Sequence, residues 1–165
     1  MGINASFIAE LEQEAKATRK LLERVPLEKH DWKPHEKSMA LGRLAFHVAE
    51  IYGWASSTLD QDELDFAKFD YKPKISGTTE ELLAVFDDNY NKAMKSLKNA
   101  ADPTFMENWT LKNGDVTYFT LPKIAVLRSF AFSHQIHHRA QLGVYLRMLD
   151  VPLPGMYGPT ADEQM

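Results

Sequence analysis

The chain has 165 residues, 44% hydrophobic and 25% charged, enough to bury one substantial core, and is read as a single domain spanning residues 1–165. A formal net charge of −4 without any local Lys/Arg cluster argues against nucleic acid as a partner. No apolar run approaches the roughly 20 residues of a membrane helix. The lack of cysteine removes disulfides, thiolate metal ligands and a thiol nucleophile, and with no secretion-signal pattern the expected location is cytoplasmic.

From Ile3 to about Arg24, apolar residues at Ile3, Phe7, Leu11, Leu21, Leu22 and Val25 predict a helix with one buried stripe, ended by Pro26. Glu14 and Thr18 fall near that stripe and make its centre more polar than a simple core. Residues 27–37 read as a connector broken by Asp31-Trp32-Lys33-Pro34, with Trp32 plugging one end of the core and His30 and His35 solvated. A second helix is expected from Met39 to about Leu59, capped by Ser38, with Leu41, Leu44, Val48, Ile51 and Ala55 inward. His47 lies at the edge of this stripe. Glu50, nearly one turn on, is either a partner that orients His47 or a solvated face residue.

Residues 60–77 form an acidic, irregular segment far longer than a tight helix–helix turn requires, so helices two and three can run parallel. Its aromatics Phe66, Phe69 and Tyr71 suggest packing along the surface. Thr78-Thr79-Glu80-Glu81 opens a third helix with hydroxyls for capping and carboxylates at the positive end of the dipole. Its buried face is Leu82, Phe86, Asn89 or Tyr90, Ala93, Leu97 and Ala100. Alternation on both sides of Lys112-Asn113-Gly114-Asp115 predicts a small hairpin or ordered loop. The fourth helix is expected from Thr120-Leu121-Pro122 to about Leu149, with Ile124, Leu127, Ala131, His134, His138, Gln141 or Leu142, Tyr145 and Met148 on one stripe. Asp150 to Gly155 stops it, and a Pro/Gly-containing tail follows. The fold class predicted is all-α, a four-helix bundle.

Half of the six histidines lie in Ser133-His134-Gln135-Ile136-His137-His138-Arg139-Ala140-Gln141. His134 and His138 are four residues apart and sit one turn up the same helical face. Such a pair can chelate a metal and needs a third ligand. His47, midway along another helix, supplies one at matching height whether the two helices are parallel or antiparallel. Three imidazoles leave a coordination position for water or substrate, as catalytic zinc sites do. Buried neutral histidines can also satisfy one another by hydrogen bonding, but three at one level crowd nitrogens that need partners. His137 points about 100° away from His138 and reads as a flanking residue, although His134 with His137 is a competing chelate. No Ser-His-Asp order, phosphate-binding glycine loop or paired-carboxylate motif supports another enzyme class.

These stretches carry a resemblance. His47-Val48-Ala49-Glu50 with the segment from Asp31 before it, His134-Gln135-Ile136-His137-His138-Arg139-Ala140-Gln141-Leu142, and the ending from Leu146 to Pro154 and from Tyr157 to Glu163 resemble the DinB-like family of small metal-binding four-helix bundles. The resemblance implies a metal triad of His47, His134 and His138 holding zinc, nickel or a similar divalent ion. It also implies an up-down-down-up bundle with a long crossover, and commonly a homodimer. Ala140 departs from it, since many members have glycine there. Relatives in the wider superfamily resemble thiol-dependent S-transferases and isomerases, so a low-molecular-weight thiol and an electrophile are the implied small-molecule partners. A metal-dependent hydrolase with Glu50 as base, and a non-catalytic metal-binding stress or interaction protein, are the alternatives. No catalytic residue is assigned.

Overall fold

The computed structural model describes residues 2–68 and 71–164; Phe69, expected to pack with its aromatic neighbours, lies outside them. Helix α1 (Ile3–Leu22) buries Phe7, Leu11, Leu21 and Leu22 as its periodicity requires. Gly2 offers no side chain to its N-terminus, and Asp102 caps it from across the molecule, its Oδ1 accepting the Ile3 N–H at 2.8 Å.

The expected second helix is two helices, α2 (Leu41–Glu50) and α3 (Gly53–Asp60). Ser38 does not cap α2. The connector does so with its backbone: the carbonyls of Trp32 and His30 accept the N–H groups of Leu41 and Gly42 at 2.8 and 2.9 Å. This contact needs glycine, because a Cβ on residue 42 would lie 2.8 Å from that of His30. His30 is consequently half-buried rather than solvated, while His35 is exposed. At the break between α2 and α3, the amide of Asn89 reaches in from the facing helix to the carbonyl of Ala49 at 3.5 Å. A side chain inserted into the ladder is a recognised cause of a helix kink.

Helix α4 (Thr79–Asn99) begins as predicted, with the Thr78 hydroxyl accepting the Glu81 N–H. It packs on α1, α2 and α3, and their shared core is lined by Leu11, Leu44, Tyr52, Leu82, Phe86 and Leu97. Trp32 packs partly buried against it, edge-on to Tyr145 at 5.5 Å between ring centroids.

The all-α expectation is corrected by a sheet. The predicted hairpin is present as β2 (Asn108–Asn113) and β3 (Val116–Pro122), with Gly114 at its turn in the left-handed region, φ 58°. A third strand, β1 (Glu63–Asp65), comes from the long crossover and pairs parallel to β2, giving the order β1-β2-β3. The protein is helix-rich with a small three-stranded mixed sheet. Two strands alone are marginal in water. Here Trp109 and Leu111 bury a separate apolar cluster with Val126, Leu64, Phe119 and Phe130. The Asp65 carboxylate ties the first strand to the hairpin by accepting the Gly114 N–H at 2.8 Å.

The expected fourth helix starts later than predicted and is not uniform. Thr120 and Pro122 belong to β3. The helix proper is α5 (Lys123–Val126), a widened π-type stretch Leu127–Ser133, and α6 (His134–Met148). The widened turns shift the stripe: beyond Leu127, Ala131 and Phe132 the buried positions are Gln135, Arg139, Leu142 and Leu146. His134 and His138 sit half-buried at the edge of that line, and Met148 is exposed.

The core thereby receives a charge. Arg139 lies 2.6 Å from Glu14, both side chains being at least nine-tenths buried. Its guanidinium also donates to the Glu14 carbonyl and the Thr18 hydroxyl, each at 3.1 Å, and to the Tyr157 hydroxyl at 2.7 Å. Tyr157 in turn donates to the Glu14 carboxylate at 2.8 Å. The polar centre of the α1 stripe is the seat for this arginine.

Candidate metal centre

His47 occupies the last turn of α2, and His134 and His138 the first turns of α6, two elements in direct contact. The three rings have centroids 4.6–5.1 Å apart. One ring nitrogen from each lies within 4.8 Å of the others, a group that could hold a metal ion. His137 is exposed and outside this group, its ring 4.8 Å from that of His138. The three-residue group is His47 with His134 and His138, and His137 is not part of it.

The outer nitrogen of each ring is engaged. His47 Nδ1 faces Glu50 Oε1 at 2.9 Å, His134 Nδ1 faces the Phe130 carbonyl at 3.2 Å, and His138 Nδ1 faces Gln141 Oε1 at 2.8 Å. Each partner atom is an acceptor, so each Nδ1 carries the proton and donates. The inner nitrogens face one another, with His47 Nε2 and His134 Nε2 only 3.3 Å apart. The widened stretch contributes directly. The Phe130 carbonyl that meets the His134 ring belongs to this stretch, which ends at Ser133, just before His134. Widened turns of this kind are frequent at functional sites.

Burial first, and then the neighbouring His47, hold His134 below the ordinary imidazole value. Burial pulls His138 down to about 4 despite its bond to Gln141. Both rings are therefore neutral at pH 7, the form a metal requires. Burial pushes Glu50 up, but hydrogen bonds from His47 and Tyr71 and the charge of Arg43 outweigh it, so its carboxyl stays below the usual range and ionised. Burial and the Glu50 charge raise Tyr71 to about 12, keeping its hydroxyl a donor at neutral pH.

Glu50 also lines a cavity of about 330 Å³ with Trp54, Ser57, Leu64, Tyr71 and Asn89. A larger groove of about 500 Å³ runs between another side of α6 and the tail, along Ala140, Gly143, Val144 and Leu153. It contains no histidine, so size does not mark the chemistry here. Ala140 is exposed on that groove, where the extra methyl meets solvent rather than a packed helix.

A family model described as the DinB family matches residues 1–164. The chain belongs to the DinB family. Among curated proteins it is similar to the uncharacterised protein YrdA of Bacillus subtilis, 28% identical over 157 residues, covering 95% of this chain and 89% of that protein. Among solved structures it is similar to a DinB-like protein, YjoA, of Bacillus subtilis, with TM-score 0.71, 17% identity, and 92% and 97% of the two chains covered. A DinB-like protein from Bacillus cereus has TM-score 0.68, 18% identity, and 93% and 97% coverage. At these identities the structural likeness speaks for the fold alone.

The sequence singled out the three histidines and Glu50. It missed Tyr71, Arg43, Gln141 and the Phe130 carbonyl as partners of the site. For Gln141 a signal existed: it follows His138 by three residues, within reach on a helix. For Tyr71 there was none, since it arrives from the crossover.

Proposed function

We propose that His47, His134 and His138 hold a divalent metal ion, zinc or nickel, and that the protein is a metal-dependent enzyme of the thiol S-transferase type. The observation that supports this is the set of three acceptors on the Nδ1 atoms, which aims three unprotonated nitrogens at one point. Without a cation these lone pairs repel and stay unsatisfied; with one they form the neutral three-histidine set typical of open catalytic sites. When bound, such an ion supplies Lewis acidity, lowering the pKa of a coordinated thiol or water and polarising an electrophile. The chain's own part is to keep His134 and His138 neutral, fix the ring tautomers and, having no cysteine, leave the position open to an external low-molecular-weight thiol. Hydrolysis with Glu50 as base fits less well, because Oε1 already receives hydrogen bonds from His47, Arg43 and Tyr71. The protein is further expected to be a cytoplasmic homodimer, for which the solution mass is the check.

Elemental analysis of protein purified without nickel resin should find stoichiometric metal, and His134→Ala with retained fold should lose it. An empty wild-type protein refutes the site. Turnover of a panel of thiols with electrophiles should depend on the metal. Full occupancy with no turnover would favour the non-catalytic metal-binding reading instead.

A further inference from the structure

Glu50 is held by more than His47. Its Oε1 atom receives three donors from three directions: His47 Nδ1 at 2.9 Å, the Tyr71 hydroxyl at 2.6 Å and Arg43 Nη1 at 3.3 Å. The two outer partners are tied to each other, Arg43 Nη2 donating to the Tyr71 hydroxyl at 2.5 Å with the guanidinium 5.6 Å from the centre of the Tyr71 ring. The side chains of Arg43, His47 and Glu50 are each at most one-fifth exposed. Arg43 and Glu50 lie seven residues apart on α2, and a carboxylate reached only by a flexible arginine and a histidine keeps rotational freedom. Tyr71 removes it, and Tyr71 comes from the crossover between the sheet strand β1 and α4.

We propose that Tyr71 and Arg43 are positioning residues for the three-histidine site, acting through Glu50 to hold His47 in its Nδ1–H tautomer with Nε2 free for a metal. The competing state is explicit in the geometry. If Glu50 swings away, the His47 proton can move to Nε2 and hydrogen-bond to His134 Nε2, 3.3 Å distant, which consumes two of the three ligand atoms at once. An ionised carboxylate at Nδ1 accepts only, and so excludes that state. Outer partners of metal-bound histidines typically set about 10–100-fold in metal affinity. The crossover docking is thus part of the site: where Tyr71 sits determines how well the ion is held. This inference rests on the metal reading above.

The test uses the full chain and zinc. Dissociation constants are measured against a chromophoric chelator for wild type, Tyr71→Phe, Arg43→Lys, Glu50→Gln and the Tyr71→Phe/Glu50→Gln double variant, with the fold of each checked by circular dichroism. Tyr71→Phe, which keeps the ring and loses the donor, should weaken zinc binding about tenfold, and Glu50→Gln by up to about a hundredfold. The double variant should bind no more weakly than Glu50→Gln alone, since Tyr71 acts through that carboxylate. A Tyr71→Phe affinity indistinguishable from wild type overturns the inference and leaves the metal site standing, as do effects that simply add. In metal-free protein, ¹⁵N NMR of the His47 ring provides a separate readout. Wild type should be Nδ1–H, shifting toward Nε2–H in Tyr71→Phe and Glu50→Gln. If wild type binds no zinc, the metal reading falls, and the ring tautomer alone decides whether the clamp exists. An unchanged tautomer in both variants then overturns it.

Discussion

Replacing Arg139 by methionine should destabilise the protein severely although the residue touches no ligand. The guanidinium is nine-tenths or more buried and holds the Glu14 carboxylate at 2.6 Å, the Glu14 carbonyl, the Thr18 hydroxyl and the Tyr157 hydroxyl. Methionine fills much of the volume and replaces none of these donors, so a carboxylate remains inside the core with Tyr157 as its donor. Breaking one side of a buried pair costs about 3–5 kcal/mol, a large part of the ~5–15 kcal/mol that stabilises a domain. For a chain of this size that is a fall in Tm of roughly 6–20 °C. The assay is urea and thermal unfolding of metal-free protein followed by circular dichroism, so that the neighbouring His138 does not contribute through a bound ion. The double variant Glu14→Leu/Arg139→Met should recover most of the loss, since a buried pair exchanged for apolar residues is often neutral. An Arg139→Met cost under about 1 kcal/mol, or a double variant as unstable as the two single losses summed, would refute the reasoning.

Metal should stabilise the folded protein through the same three histidines: zinc at about a hundred times its Kd adds about 2.7 kcal/mol, and His47→Ala should abolish the Tm rise. An equal rise in the variant would place the zinc elsewhere. The pH dependence of metal-free protein follows from His134 and His138, both held below the ordinary value of 6.5 by burial, His138 to about 4. Between about pH 6.5 and 4 the unfolded chain takes up protons that the folded chain refuses, so stability falls as the pH drops through that window. The urea midpoint should fall less steeply over this range in His138→Gln, and identical slopes would contradict the assignment. Two glycines should respond oppositely to alanine. Gly143 has nothing within 4 Å of its missing Cβ, so Gly143→Ala should stabilise α6 by about 0.5–1 kcal/mol. A Cβ on Gly53 would meet Asn89 Oδ1 at 2.4 Å, so Gly53→Ala should lower the melting temperature; a neutral result there would show that Asn89 moves aside freely.

The parts of the fold that the sequence carried are those set by local periodicity. The faces of α1 and α4, the Thr78 cap and the Asn-Gly hairpin each depend on neighbours a few residues away. Strand β1 did not follow from pattern, because three residues with one apolar side chain acquire strand geometry only by pairing with a partner more than forty residues downstream. The offset of the buried stripe after Ala131 was equally hidden. Regular helical spacing predicts His134 and His138 inward, whereas packing of Phe130, Phe132 and the sheet cluster accommodates a widened turn that places Gln135 and Arg139 there instead.

By itself, the sequence determined which residue types could serve a site: an i, i+4 histidine pair on one helix, which needs only the repeat of the α-helix, and a third histidine on another. It also showed in Glu14 and Thr18 that the first helix had a polar centre, without naming what filled it. Only the tertiary structure decided which atoms meet. Glu50 became an anchor because Tyr71 arrives from the crossover, and the Phe130 carbonyl that meets His134 lies in the widened stretch. Glu14 became part of the core because Arg139 reaches it across the bundle. The physical reason is common to all three. Helical periodicity fixes the direction of a side chain, while its partner is set by how distant segments pack.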